Sequence, residues 1–337
     1  MIDRWSRADR AAHAGKVPVS ALRADAERVV ASGVDAQELY RRWEQQHWTV
    51  GDLRLDEDRA NWDRVPAASR EVLLRLFTSF YVGEYTAVDG LAAVMAGAPD
   101  EDELVFLATQ SADEARHVAF MNLVDRELMD GTEGLKARLP QLWEQLTPAY
   151  RALQRIEDAF AEDVLRRPDI DTWLRLVSVF HLLTEGVMAI NGQQAVLRAL
   201  RAHTELPQVE AGFIGMMRDE SRHIAYGTQA ARRWVKRGFE EHVLEAMELA
   251  VPHVVHIDDR PGASNPLAAK QLAKLVDRRL AAVGVSRKGR EHIAAVARRT
   301  YSIEGDAADG SETQVSGHPG RDAEERGGDG SMQSKAI

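Results

Sequence analysis

The sequence predicts an all-α protein in which additional helices surround a four-helix bundle. Ala, Leu, Arg and Glu, which favour helices, recur throughout the 337 residues, and only 11 residues are proline. Apolar residues recur every three or four positions in several long stretches, as they do in helices with one buried face. Hydrophobic residues make up 45% of the chain, enough to bury a sizeable core.

The composition excludes several classes of function. The net charge is −10 and no stripe of Lys and Arg is present, so we expect no nucleic-acid partner. The absence of cysteine excludes disulfides, thiolate catalysis and iron–sulfur clusters, and leaves imidazole and carboxylate as metal ligands. The N-terminus lacks the apolar core of a signal peptide, and we expect no apolar run as long as the ~18 residues that span a bilayer. These features predict a cytoplasmic protein without a membrane span.

The pattern divides the chain into three segments. Residues 1–60 are predicted to form a partly helical N-terminal arm, residues 61–300 the helical domain, and residues 301–337 a disordered tail rich in Gly, Asp, Ser and Glu. Asp171 is the expected N-cap of the helix that follows Pro168. Apolar periodicity predicts helices over residues 62–95, 101–129, 140–165, 171–202, 207–236 and 239–257, and one more after Pro266.

A short internal repeat carries the main functional signal. Residues 113–120, DEARHVAF, match residues 219–226, DESRHIAY, and both copies lie in the middle of a predicted helix. On a helix, Glu at position i and His at i+3 project from the same side, so each pair can bind one metal ion. A third Glu-x-x-His, at residues 44–47, lacks the flanking Asp and Arg, and we interpret it as chance. The four repeated ligand candidates are Glu114, His117, Glu220 and His223.

Two further glutamates complete the pattern of a bundle that binds two metal ions, which takes one inward Glu from each of two other helices. Glu84 precedes the first copy on an apolar helix face, and Glu185 is the single acid between Asp171 and Glu205. A carboxylate on a buried face is unfavourable unless it is paired or bound to metal. We therefore predict two metal ions, Fe/Fe or Mn/Fe, bound by Glu84, Glu114, His117, Glu185, Glu220 and His223. The alternative is a set of buried ion pairs with Arg116 and Arg222.

Other residues are candidates for the surroundings of the metals. A ligand His usually donates its second ring N–H to an acid, and Asp113 and Asp219 are the candidates by position. His181, four residues before Glu185, is predicted to be a core histidine or one that supports a ligand. We expect a substrate cavity beside the metals, lined by Phe120, Phe180, Met188 and Tyr226.

Residues 45–255 resemble the ferritin-like superfamily, and specifically the small subunit of class I ribonucleotide reductase. Trp48, residues 56–59, Trp62, the Glu84 helix and both repeat copies follow the order that this family shows. Within it, residues 80–88, 184–192 and 222–233 look most like the ligand-binding oxidases related to that subunit. The resemblance implies a hydrogen-bonded chain of Trp48, Asp219 and His117 from the metals to the surface.

The sequence departs from these relatives where their characteristic chemistry occurs. Met121 stands where the reductase subunit carries its radical Tyr, and nothing aromatic follows Tyr301 in the tail. Ala87 and Phe180 stand where the oxidases form a Val–Tyr crosslink. We therefore expect neither ribonucleotide reduction nor this crosslink.

The leading functional prediction is an oxygen-activating oxidase or oxygenase that acts on a small organic or fatty-acyl substrate. Its other partners would be O2, an electron donor and a second copy of the chain in a homodimer. A ribonucleotide reductase small-subunit-like protein, an acyl-carrier-protein desaturase and a metal-storage bundle are alternatives, although the sequence shows no basic rim for a carrier protein. An amine N-oxygenase is a further alternative, although Met216 occupies the position of its third His.

Overall fold

The structure is a computed structural model that describes residues 18–131, 135–202, 206–260 and 263–298. The start of the predicted arm, residues 1–17, and the predicted disordered tail, residues 301–337, lie outside the described residues. Within the described ranges the chain forms helices and no β-strand, which confirms the all-α class.

The helices follow one another with short connections, and one 3₁₀ turn, Val50–Asp52, interrupts them. Their bounds are α1 Val19–Ala31, α2 Ala36–Gln45, α3 Leu55–Trp62, α4 Ala67–Ala96, α5 Glu101–Leu128, α6 Leu135–Trp143, α7 Pro148–Arg166, α8 Ile170–Ala202, α9 Pro207–Val235, α10 Glu240–Val255, α11 Pro266–Val283 and α12 Arg287–Val296.

Helices α4, α5, α8 and α9 form the four-helix bundle. Helix α4 packs against α5, and α9 packs against the middle of α8. The rings of Phe77, Phe80 and Phe120 all contact Phe213, so side chains from three of these helices meet in the core. Helices α1 and α2 cover one side of the bundle, where α1 lies on α9 and α2 on α5.

Two predicted helices before α8 have different boundaries in the structure. The helix predicted over residues 62–95 begins only at Ala67, because Pro66 disfavours helical geometry at the residue before it. The segment predicted as one helix over 140–165 is two helices, α6 and α7. Thr147 separates them, since its hydroxyl accepts a hydrogen bond from the Tyr150 N–H at 3.2 Å and caps α7.

Two further boundaries were also predicted wrongly. Asp169 caps α8 in place of Asp171, since its carboxylate accepts a hydrogen bond from the Thr172 N–H at 3.0 Å. The single helix predicted after Pro266 is the pair α11 and α12. Gly284, with a φ of 93°, ends α11 in the left-handed conformation that glycine adopts readily.

The middle of α8, Ser178–Ala189, is a π-helix, which the periodicity did not predict. The wider turn changes which way the side chains project, and such segments occur frequently at functional sites. Arg279 of α11 supports it by donating from Nε to the Gly186 carbonyl at 2.8 Å, while its other nitrogens pair with Glu27 of α1. The π-helical segment is therefore held by two helices outside the bundle.

Helix α8 also corrects an expectation about apolar runs. Among the described residues it is the one helix long and apolar enough to cross a membrane by length and composition. However, 78% of its apolar window is buried inside the protein. The segment is therefore the core helix of the bundle.

Candidate metal centre

The six predicted ligands converge in the centre of the bundle, and all six are buried. Their atoms form two groups of four, and within each group the ligand atoms lie within 4.8 Å of one another. One group contains Glu84, Glu114, His117 and Glu220, and the other contains Glu114, Glu185, Glu220 and His223. Glu114 and Glu220 belong to both groups, so the ligand set fits two metal ions, and these two carboxylates would contact both.

The two shared carboxylates each direct one oxygen to each histidine. Glu114 places Oε2 3.3 Å from Nδ1 of His117 and Oε1 3.2 Å from Nδ1 of His223. Glu220 places Oε1 3.6 Å from the first Nδ1 and Oε2 3.5 Å from the second. By contrast, Glu84 lies 3.1 Å from His117 and Glu185 lies 3.8 Å from His223. Each of these two carboxylates therefore lies near one histidine and belongs to one ligand group.

The donor set fits metal ions in a further respect. Four buried atoms of the site form no well-aligned hydrogen bond among the described residues: Oε1 of Glu114, Oε2 of Glu185, Oε2 of Glu220 and Nδ1 of His223. Buried polar atoms without partners are costly, and bound cations would satisfy them. Carboxylate and imidazole ligands together suit iron and manganese.

Each histidine pairs with the aspartate of the opposite repeat copy. Nε2 of His117 lies 3.2 Å from Oδ2 of Asp219, and Nε2 of His223 lies 3.2 Å from Oδ2 of Asp113. Such a pairing assigns the ring proton to Nε2 and leaves Nδ1 free for a metal ion. The structure thus brings both predicted aspartates to the site, in a crossed arrangement that sequence adjacency does not reveal.

Two tryptophans extend these histidine–aspartate pairs towards the surface. Trp48 donates from Nε1 to Asp219 at 2.7 Å, so the chain of Trp48, Asp219 and His117 implied by the resemblance is present in the geometry. Trp43 donates to Asp113 at 2.9 Å and forms a second, equivalent chain to His223. The second chain was not predicted, because the family resemblance pointed to Trp48 alone and no repeat marks Trp43.

A buried arginine joins the two aspartates. Arg222, 1% exposed, donates to Asp113 at 2.8 Å, to Asp219 at 2.6 Å and to Gln46 at 2.7 Å. Arg116 also pairs with Asp113. The alternative prediction, in which these arginines pair with the ligand glutamates, is wrong, because the aspartates occupy them.

Burial and mutual charge set the protonation of the site without metal. Burial raises the pKa of Glu84 to about 8 and raises the pKa of Glu185 well above its ordinary value. Burial also favours the neutral form of both ligand histidines, but the surrounding carboxylates outweigh it and raise the pKa of His117 and His223 well above the ordinary value. Without metal, Glu84, Glu185 and both ligand histidines therefore retain protons that metal ions would displace.

The bridging Glu114 behaves in the opposite way. Burial alone would raise its pKa, but hydrogen bonds and charge from His117 and His223 outweigh burial, and the pKa of Glu114 is lowered. The same balance lowers the pKa of Asp219, where the charge of Arg222 is the main opposing cause. Both groups are therefore ionised at neutral pH.

His181 acts on the site through a glutamine that the sequence did not single out. Burial lowers the pKa of His181 to about 3, so the ring is neutral. Its Nε2 lies 3.1 Å from Oε1 of Gln110, and Gln110 donates from Nε2 to Glu185 at 2.7 Å. The neutral ring therefore orients the amide that holds Glu185.

A small cavity of about 80 Å³ adjoins the ligands. The glutamates Glu84, Glu114, Glu185 and Glu220 line it, together with Ser79, Phe80, Gly83, Ala87, Tyr150, Thr184, Met188 and Ala189. Met188 is thus where the sequence analysis expected it. The other three residues of the expected cavity lie elsewhere: Phe120 packs against Trp48, Phe180 against His181, and Tyr226 donates to Glu103 at 2.9 Å.

A larger groove of about 710 Å³ lies outside this cavity. Ser79, Tyr150 and Met188 line both spaces, so they form the boundary between groove and ligands. The Tyr150 hydroxyl donates to the Ser79 carbonyl at 3.0 Å. A Cβ atom at Gly83 would lie only 2.8 Å from this hydroxyl, so a larger residue there would displace the end of the Tyr150 side chain.

Comparison with known proteins agrees with this fold and ligand set. A sequence model of the ribonucleotide reductase small chain family matches residues 33–259, well over half of the chain. The chain therefore belongs to the ribonucleotide reductase small chain family, which confirms the resemblance and the ferritin-like bundle.

Solved structures of R2-like ligand-binding oxidases share the fold. The oxidase from Sulfolobus acidocaldarius is 18% identical, with a TM-score of 0.64 over 77% of this chain and 93% of that chain. A variant oxidase with an anaerobically reconstituted Mn/Fe cofactor is 18% identical, with a TM-score of 0.65 over 75% and 93% of the two chains. Another variant, with an aerobically reconstituted Mn/Fe cofactor, is 17% identical, with a TM-score of 0.59 over 77% and 92%.

Proposed function

We propose that the protein is an oxygen-activating oxidase or oxygenase that uses two metal ions, Fe/Fe or Mn/Fe, and acts on a small polar organic substrate. The observation that carries the proposal is the pair of ligand groups that share Glu114 and Glu220, beside a cavity that Glu84 and Glu185 also line. The Mn/Fe cofactors of similar oxidases support the choice of metals. When bound, the two ions would supply electrons for the reduction of O2.

The protein's own residues have distinct roles in this proposal. Glu114 and Glu220 would hold both ions, and Glu84 and Glu185 would each complete the ligands of one ion. Asp113 and Asp219 fix the orientation of the ligand histidines, because they accept the Nε2 protons. Electrons would come from an external donor. Assembly as a homodimer and a cytoplasmic location stay predictions.

The polar lining of the groove and the small size of the inner cavity favour a small polar substrate over a long acyl chain. Sites for drug-sized ligands usually measure about 300–1,000 Å³, a range that includes the groove but not the cavity of about 80 Å³. The substrate would therefore lie in the groove and extend only a small group past Tyr150 and Met188. Polar and charged side chains line much of the groove, among them Glu71, Arg75, Asn191, Asp258, Arg260 and Asn265.

Narrowing the passage tests this assignment. We expect Met188→Phe to keep full metal content, because Met188 is no ligand. It should slow the oxidation of small polar amines, alcohols and amino acids by tenfold or more, since a misplacement of about 1 Å can slow a reaction roughly a hundredfold. Met129→Phe, at the end of α5 and outside both spaces, is the matched control. Faster turnover of long-chain acyl substrates than of polar ones in the unaltered protein would contradict the substrate class.

A further inference from the structure

The π-helical segment of α8 returns to α-helical geometry close to the ligand Glu185. At this point the N–H of Ile190 donates to the carbonyls of Glu185 and Val187. In a regular α-helix the same N–H would donate to the carbonyl four residues earlier, which belongs to Gly186. The change of geometry therefore diverts a donor from the Gly186 carbonyl, one residue after the ligand.

Arg279 of α11 provides a different donor for this carbonyl. Its side chain is 1% exposed, and its Nε donates to the Gly186 carbonyl at 2.8 Å. The approach needs glycine, because a Cβ atom at residue 186 would lie 2.9 Å from the His181 carbonyl oxygen and 3.2 Å from this Nε. A buried carbonyl that loses a hydrogen bond is costly, so the bond from Arg279 stabilises this backbone path over others.

The terminal nitrogens of Arg279 have a separate partner. Nη1 and Nη2 donate to the two carboxylate oxygens of Glu27 of α1, each at 2.8 Å. Glu27 is 21% exposed, and Nη1 of Arg278 lies 3.7 Å from its Oε1. The guanidinium therefore makes two contacts that substitutions can separate: Nε holds the π-helix, and the terminal nitrogens connect α11 to α1.

Glu185 is the residue through which this part of α8 contributes to the metal centre. It belongs to one ligand group, with Glu114, Glu220 and His223, and is absent from the other. Gln110 donates to its carboxylate at 2.7 Å and so holds the side chain. The backbone that carries Glu185 is held instead at the end of the π-helix. A displacement there would affect one metal position and spare the other.

We propose that Arg279 is a positioning residue for Glu185, and that its Nε–H bond to the Gly186 carbonyl sets the metal affinity of the group that contains Glu185 and His223. The inference rests on the metal site of the proposed function and concerns its assembly. Partners that orient a ligand without touching the metal typically change metal affinity by about tenfold to a hundredfold. We expect a loss of this size at one position when the Nε–H donor is removed.

Two substitutions distinguish the Nε–H donor from the positive charge. Arg279→Lys keeps a cation for Glu27 but places a methylene group where Nε lies, whereas Arg279→Gln removes the cation and keeps an N–H donor at that place in the side chain. An ion pair with a purely structural role would favour Lys, and we predict the reverse order. The matched control is Arg232→Lys, because Nε of Arg232 on α9 donates to the Ala282 carbonyl of α11 at 2.7 Å.

The test measures binding of Mn²⁺ to the metal-free proteins by equilibrium dialysis and electron paramagnetic resonance, after circular dichroism has verified their helical content. The unaltered protein, Arg279→Gln and Arg232→Lys should bind two ions per chain and show the spectrum of a coupled pair. Arg279→Lys should bind one ion with unaltered affinity and the other about tenfold to a hundredfold more weakly. At the Mn²⁺ concentration that just saturates the unaltered protein, it should show the resolved hyperfine lines of an isolated ion.

Three results would overturn the role of Arg279. They are two ions of unaltered affinity in Arg279→Lys, loss of both ions in that variant, and a larger loss in Arg279→Gln than in Arg279→Lys. Glu27→Gln keeps the bond from Arg279 to Gly186 and should retain both ions. Loss of an ion in Glu27→Gln would overturn the role even if Arg279→Lys does not fold.

Failure of this role and failure of the proposed function give different results. An unaltered protein that binds neither Mn²⁺ nor Fe²⁺ would overturn both. An unaltered protein that binds two ions, loses one in Arg279→Lys and does not react with O2 would overturn the proposed function alone and support the role of Arg279.

Discussion

Replacing Arg222 tests the account of how the aspartates are held. Arg222→Met keeps the length of the side chain but removes the buried cation that donates to both Asp113 and Asp219, which leaves Arg116, 12% exposed, as the arginine paired with these two carboxylates. Removing one partner of a buried ion pair costs roughly 3–5 kcal/mol. His117 and His223 remain 3.2 Å from the same carboxylates and still offset part of their charge. We therefore expect a value at the lower end of this range, a loss of about 3 kcal/mol in the free energy of unfolding.

Urea denaturation of the metal-free protein, followed by circular dichroism at pH 7, measures this loss. The control is Arg54→Met, because Arg54 pairs with Asp56 at the surface with 46% of its side chain exposed, and such pairs contribute about 0–1 kcal/mol. Arg222→Lys should fall between the two, since one ammonium group cannot reproduce the fork that reaches both aspartates. A loss in Arg222→Met no larger than in the control would refute the reasoning.

Three further predictions concern metal content and pH. Glu220→Ala should weaken both metal positions, whereas Glu84→Ala should leave one ion per chain by elemental analysis; equal contents would contradict the bridging assignment. Metal affinity should rise from pH 5 to pH 8 in competition with a chelator, because metals displace protons from His117 and His223, whose pKa values are raised. An affinity independent of pH would contradict this. Finally, burial raises the pKa of Glu157 in the folded state from 4.5 to about 8. Its stabilising contribution is therefore complete below pH ~4.5 and is lost as pH rises through about 8. Glu157→Gln should gain stability relative to the unaltered protein over this window, by up to about 1.4 kcal/mol per pH unit in urea denaturation. A constant difference would contradict the buried protonated carboxyl.

The ligand set could be predicted from sequence because helix geometry connects spacing with direction. Glu114 and His117, three residues apart, must project from one side of α5, and the second copy obeys the same rule on α9. Lone acids in apolar helices, Glu84 and Glu185, need a partner wherever the helices pack. These constraints are local, so they do not depend on the details of tertiary structure.

The remainder of the site depends on contacts between segments that are distant in sequence. The crossed pairing of Asp113 with His223 results from how α5 and α9 face each other, and Trp43 reaches the site from the arm. The π-helix in α8 contacts α11 through Arg279, and its wider turn changes which way the side chains project. Phe180 lies near the start of the π-helix, where its ring contacts His181, and it does not line the cavity.

In the proposed function, two metal ions bound by the six buried ligands react with O2. The most direct test loads the protein anaerobically with ferrous iron, or with manganese and iron, and records metal content and optical absorption before and after O2 is added. We predict two metal ions per chain and an absorption band that appears only with O2. Absence of stoichiometric metal, many more than two ions per chain, or a spectrum unchanged by O2 would contradict the claim.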